Sequence, residues 1–164
     1  MAIRYLVKGA VAGAVASVAM SLPMVIARRI GLVRQHAPEA ITRSLMVRSG
    51  LDRSPSRERQ DLVAAALHLG FGAAGGAVFA AAAQLLARPG APLGRVPFTL
   101  TGMLYGSGVY TVSYLGWVPA LGLMPAPDRD EPARPPVMVA AHLIYGAVLA
   151  RVLGRPRAAR RRQS

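Results

Sequence analysis

The amino-acid sequence predicts an all-α integral membrane protein: a four-helix bundle made of two helical hairpins that form an approximate repeat. Three observations lead there. Hydrophobic residues make up 53% of the 164-residue chain and charged residues only 16%, a balance shifted away from that of water-soluble domains. The apolar residues also lie in four long blocks with almost no internal charge, the pattern of bilayer-crossing helices. And the second and fourth blocks share a short histidine-containing motif at matching depth.

Each block is long enough for a hydrocarbon core about 30 Å thick, which takes roughly 20 helical residues. The first spans about 9–27, between Arg4 and Lys8 on one side and Arg28 and Arg29 on the other, with Pro23 expected to kink it. Its n-region and Val25-Ile26-Ala27 also fit a cleavable leader, though the apolar core is long for one. A basic loop, 28–60, follows. Within it PEAITRSLMVRSG sets Ile41, Leu45 and Met46 to one side and leaves Arg43 and Arg48 for lipid headgroups, as in a short interfacial helix. A solvated loop is the competing reading.

The second span covers about 62–87. Ser54 is the expected N-cap, Pro55 the first helical residue, and Glu58 and Asp61 suit the positive end of the helix dipole. Arg88-Pro89-Gly90 stops it. The third span, about 98–118, starts after Pro97 and ends with Tyr114 and Trp117, expected as an interfacial belt. The fourth, about 137–153, follows Pro135-Pro136. An arginine-rich tail, 154–164, ends this single membrane domain.

A net charge of +13 would by itself raise nucleic acid as a partner. Here the cations flank apolar blocks or lie in loops and tail, where membrane topology puts them. The bilayer is therefore the expected partner, together with a second copy or a larger membrane complex, and nucleic acid is not. The twenty Lys and Arg divide equally between the two membrane faces, and all seven acids lie on one. The six cations from Arg151 to Arg162 favour cytoplasmic termini; the equal count also admits an antiparallel, dual-topology dimer. With no cysteine, disulfides, thiolate metal sites and cysteine nucleophiles are all excluded.

The motif is His68-Leu-Gly-Phe-Gly72-Ala in the second span and His142-Leu-Ile-Tyr145-Gly146-Ala in the fourth. The third span carries a fainter version, Gly102-Met-Leu-Tyr105-Gly106. Three readings stand for the histidine pair. As packing groups, the imidazoles hydrogen-bond neighbouring helices. As transport groups, His68 and His142, with Tyr105 and Tyr145, line a proton or solute path. As axial ligands, they hold a b-type haem, the glycines making room for the ring. The packing reading leads, and no cofactor is expected.

The small residues Gly9, Gly13 and Ser17, Gly72 and Gly76, and Gly102 and Gly106 recur at four-residue spacing. With Gly146, they form smooth stripes on which membrane helices approach closely. Met20, Pro23 and Met24 are read as packing at a kink rather than as a soft-metal site. Asp128-Arg129-Asp130-Glu131 is read as a solvated turn. There is no phosphate loop with its lysine, no carboxylate pair within a span and no H-E-x-x-H, so an enzyme is not expected.

Two segments, GAVAGAVASVAMSLPM and LYGSGVYTVSYLGWVPALGLMPAPDRDEPARPPVMVAAHLIYGAVLARVL, resemble the small bacterial inner-membrane proteins of the YagU type. The likeness is clearest over 104–153. It implies a multi-pass inner-membrane protein with a link to envelope or acid stress, and it brings no catalytic residues.

Overall fold

The computed structural model describes residues 2–35, 37–50, 56–86 and 96–156. Their regular structure is helical, with no strand among them: α1 (Ala2–Arg29), α2 (Ala37–Arg48), α3 (Arg57–Leu86), α4 (Phe98–Val112), a π-helical turn (Ser113–Trp117), α5 (Val118–Ala120) and α6 (Arg134–Leu153). Three helices are long and apolar enough to cross a membrane: Ile3–Arg29, Arg57–Leu85 and Arg134–Leu153. Pro23 lies inside α1 without ending it. The expected stop at Arg88-Pro89-Gly90 and the basic end of the tail lie outside the described residues, as do Ser54 and Pro55. The cap of α3 that is described is Ser56, whose hydroxyl accepts the Arg59 amide at 3.4 Å.

The stretch from Phe98 to Ala120 has a local cause for its interruption. Pro119 has no amide hydrogen, and its ring crowds the carbonyl of Leu115 one turn back. The chain responds by widening: Val118 donates to the Ser113 carbonyl, and Gly116 takes the non-helical angles φ −108° and ψ −107°. Such wide turns absorb a misfit in the helical ladder. On α6 the prolines come early instead, at Pro135 and Pro136 in the first turn, where no intrahelical donor is lost.

α1 packs against α3 and α6, and α6 also packs against α4. The contacts reveal which residues face inward. Ala12, Ala16 and Ser17 of α1 are fully buried, and so are Ala80 of α3 and Leu149 of α6. The large residues of α1 point the other way: Val7, Val11, Val15, Val18, Leu22 and Ile26 recur every three or four positions and are all exposed, Val11 at 58% and Leu22 at 60%. Small residues inside and branched apolar residues outside invert the plan of a soluble helix. α3 does the same with Leu67, Phe71, Val78 and Leu85, and α4 with Leu100, Leu104 and Val112. An apolar exterior of this extent is stable in lipid and a liability in water.

Two apolar clusters fill the interior. One joins Phe79, Tyr145, Leu149 and Leu153, near the end where the Tyr5 hydroxyl donates to the Gly154 carbonyl. The other joins Met24, Val33, Tyr114, Val118, Met124 and Met138, at the opposite end. That second end is covered by α2 and the 121–133 turn. Ser44 donates to the Leu123 carbonyl at 2.9 Å, and Arg48 donates to the carbonyls of Leu121 and Gly122. Arg48 is therefore a clamp between two segments rather than a group held out for headgroups. Of the three apolar residues expected to share a face of α2, Ile41 packs on the core while Leu45 is 41% exposed. The packed face is Ala37, Ala40 and Ile41, with Ser44 and Arg48 continuing it as hydrogen-bond donors.

Candidate functional site

Glycine fixes how the helices cross. A Cβ on Gly13 of α1 would fall on the Gly72 carbonyl of α3, and one on Gly9 would fall on the Gly76 carbonyl. A Cβ on Gly102 of α4 would likewise strike the Gly146 carbonyl of α6, and one on Gly106 the His142 carbonyl. In both pairs the backbones touch where side chains are missing, a contact that dispersion and weak Cα–H···O bonds stabilise. The two crossings share a register. Gly13 and Ser17 meet the α3 segment as Gly102 and Gly106 meet the α6 segment. One turn further on, Ser21 reaches His68 and Tyr110 reaches His142.

Around these crossings sit the four polar residues singled out from the sequence. His68 Nε2 lies 3.2 Å from the Ser17 carbonyl and 3.4 Å from the Ser21 hydroxyl. Because a carbonyl only accepts, Nε2 carries the proton. His142 is the opposite tautomer: its Nδ1–H donates to the Met138 carbonyl one turn earlier, at 2.8 Å. Its ring meets Tyr110 edge-on with centroids 5.5 Å apart. Tyr105 donates to the Gly75 carbonyl at 2.7 Å and Tyr145 to the Gly72 carbonyl at 2.8 Å, so both hydroxyls converge on one glycine-lined stretch of α3. Each of the four side chains is thus bonded to a backbone carbonyl, and no hydrogen bond among the described residues joins one of them to another.

A haem does not fit this arrangement. The space beside Gly72 and Gly146 is filled by the Ser17 side chain and by the Gly102 backbone. His68 also has its Nε2, the nitrogen that commonly binds iron, committed to a carbonyl. Among the described residues no group of three His, Asp or Glu is placed to hold a metal ion. Met24 belongs to the apolar core, as packing would have it.

The sequence hid a second polar site at the α2 end. Tyr114, expected in an interfacial belt, is 1% exposed, and its hydroxyl donates to Asp130 Oδ2 at 2.7 Å. Asp130 also holds Arg134 at 3.2 Å and accepts the Glu131 amide at 2.7 Å. Arg134 reaches Glu131 at 2.9 Å, and Glu131 accepts the Arg34 amide at 2.8 Å. The side chains of Asp130 and Arg134 are 3% and 5% exposed. Only the outer part of the acidic turn, the Asp128–Arg129 pair, is solvated. The Asp130/Arg134 spacing of four residues at a helix start was the available signal. It lay in a proline-rich turn, which disguised it.

No curated protein and no solved structure matches the chain, so the YagU-type resemblance gains no support. Residues 3–164 match the model of a family of unknown function, DUF6789, and the chain belongs to that family.

Proposed function

We propose that the chain is a four-span component of a bacterial inner membrane, non-enzymatic, acting by packing with itself or within a larger membrane complex. The observation that carries this is how its interior polar groups are used. His68, Tyr105 and Tyr145 each bond the backbone of a neighbouring helix, and glycine contacts close the space around them. Such groups join helices; they do not converge on a substrate. The exposed apolar faces of α1, α3 and α4 support the lipid setting. The interrupted helix Phe98–Ala120, with the length of a span, supports a fourth crossing and a four-helix bundle.

The experiment is alkaline carbonate extraction followed by mass determination of the detergent-solubilised chain. Retention in the membrane pellet, with a mass above that of one chain plus its micelle, is the expected result. Release into the supernatant would end the membrane reading. A single chain with no companion would end the packing-partner reading.

A second reading has one specific observation behind it. His142, Tyr110, Tyr114, Asp130 and Arg134 form an unbroken series of contacts from mid-bundle to the α2 end. A proton-linked path would run along that series rather than through His68 and Tyr105. Proton flux in proteoliposomes that falls in His142→Ala and Asp130→Asn would favour it; flux equal to that of empty vesicles would dismiss it.

A further inference from the structure

At the α2 end, between the last turn of α1, the outer face of α2 and the first turn of α3, the surface opens into a cleft of about 350 Å³. Clefts of this size hold small ligands or headgroups, for which roughly 300–1,000 Å³ is usual. The lining differs from that of an apolar pocket. Every residue on it is polar or charged, with four arginines (Arg28, Arg34, Arg43 and Arg57) against two acids, Glu39 and Asp61. Arg28 is already paired with Glu39 at 3.0 Å. Among the described residues the other three guanidinium groups take part in no ion pair, so the cleft keeps an excess of positive charge.

Arg57 lies at the start of α3, where the helix dipole favours negative charge that Glu58, in the same turn, supplies in part. Like charges crowded at a positive helix end are stabilised by an anion set among them. Arginine is also the residue suited to that anion, since its planar fork bonds two oxygens of a phosphate at once. The level of the cleft is informative too. α1 turns from apolar to basic at Arg28, and α3 turns from polar to apolar at Leu62, so the cleft lies where headgroups would lie. The exposed Ile26 and Leu62 flank it on the apolar side, where acyl chains would run.

We infer that this cleft binds a phosphate-bearing anion, the headgroup phosphate of an anionic phospholipid or free phosphate, with Arg34, Arg43 and Arg57 as its ligands. The lipid source rests on the membrane reading above; phosphate recognition by the arginines does not.

The test is a titration of the full chain in detergent with phosphatidylglycerol, phosphatidylcholine and inorganic phosphate, read by native mass spectrometry. The wild type is compared with R43Q/R57Q and with R4Q/R151Q, which removes the same charge elsewhere. R43Q/R57Q is expected to bind the anionic probe at least ~10-fold more weakly, as two lost charge-assisted contacts imply, while R4Q/R151Q keeps wild-type affinity. Tight binding of phosphatidylglycerol over phosphatidylcholine identifies a lipid headgroup; binding of inorganic phosphate without phosphatidylglycerol identifies the free ion. Equal affinity in all three proteins for every probe overturns the inference. Carbonate extraction of R43Q/R57Q in parallel keeps the two readings apart: a variant that stays in the pellet but loses the anion bears on the cleft, whereas wild type found in the supernatant bears on the membrane reading.

Discussion

Tyr114 and Asp130 are joined by a 2.7 Å hydrogen bond that ties the end of the third apolar segment to the turn leading into α6. The bond finishes the partnering of a carboxylate that already faces Arg134 and the Glu131 amide. An ion pair this deeply buried is stable only while both members are present, because either one alone is a desolvated charge.

Asp130→Ala leaves buried Arg134 only its pair with the more exposed Glu131 and is therefore expected to destabilise the protein by about 3 kcal/mol, the lower end of the cost of breaking a buried pair. Tyr114→Phe removes one hydrogen bond to a charged group and should cost about 1.5–3 kcal/mol. Asp128→Ala, in the solvated part of the same turn, should change little. Thermal unfolding in detergent ranks the three. Equal midpoints for the Asp130 and Asp128 variants would remove the structural role assigned to Asp130.

The glycine crossings predict position-dependent effects from one kind of substitution. Gly13→Ala and Gly102→Ala put a methyl group onto a facing carbonyl, so the helices must part and folded protein should decline. Gly70→Ala and Gly108→Ala meet open space, and should be neutral or stabilising by about 0.5–1 kcal/mol through higher helix propensity. Membrane abundance and unfolding midpoint both report this. Similar losses at all four positions would mean that glycine acts through something other than close approach.

The sequence conveyed the three long apolar helices because they leave long runs nearly free of charge, and the small-residue stripes because glycine spacing is visible one helix at a time. It was silent on which stripe meets which. That depends on helix rotation, which length and hydropathy do not fix. The histidines stood out by their shared motif, but not as opposite tautomers serving different partners, His68 on α1 and His142 on its own helix. Tyr114 and Asp130 were misread for a related reason. A tyrosine near a span end and an aspartate in a proline-rich turn each have an ordinary surface explanation. Their burial arises only when α2 and the 121–133 turn close over them, a contact between segments far apart in the chain.

The interhelical polar bonds should matter less than the crossings they flank. Measured values for such bonds in membranes average about 0.6 kcal/mol, with a maximum near 1.7. His68→Ala, Tyr105→Phe and Tyr145→Phe should each fall in that range, while His142→Ala breaks no interhelical hydrogen bond, its own staying within α6, and removes instead the edge-on ring contact with Tyr110 of α4. Midpoints from detergent unfolding, set beside Gly13→Ala, supply the comparison. If His68→Ala proved more damaging than Gly13→Ala, the imidazole would have a duty beyond joining α1 to α3.

Orientation can be read because the chain has no cysteine, so an introduced one is a unique label site. Asp128 is largely exposed, at 73% of its side chain, on the face that carries α2 and the acidic turn. Ser164 ends the arginine-rich tail, which leaves the opposite end of α6. The six cations from Arg151 to Arg162 favour retention of that end in the cytoplasm, where positive charge beside a span is held. The face of Asp128 carries as many Lys and Arg in all, so the expectation rests on how closely the basic residues from Arg151 onward crowd one membrane end. A membrane-impermeant maleimide should thus label D128C in intact spheroplasts and S164C only after permeabilisation. The reverse pattern would put the termini outside, and labelling of both sites in intact cells would point to the dual-topology arrangement that the even division of cations allows.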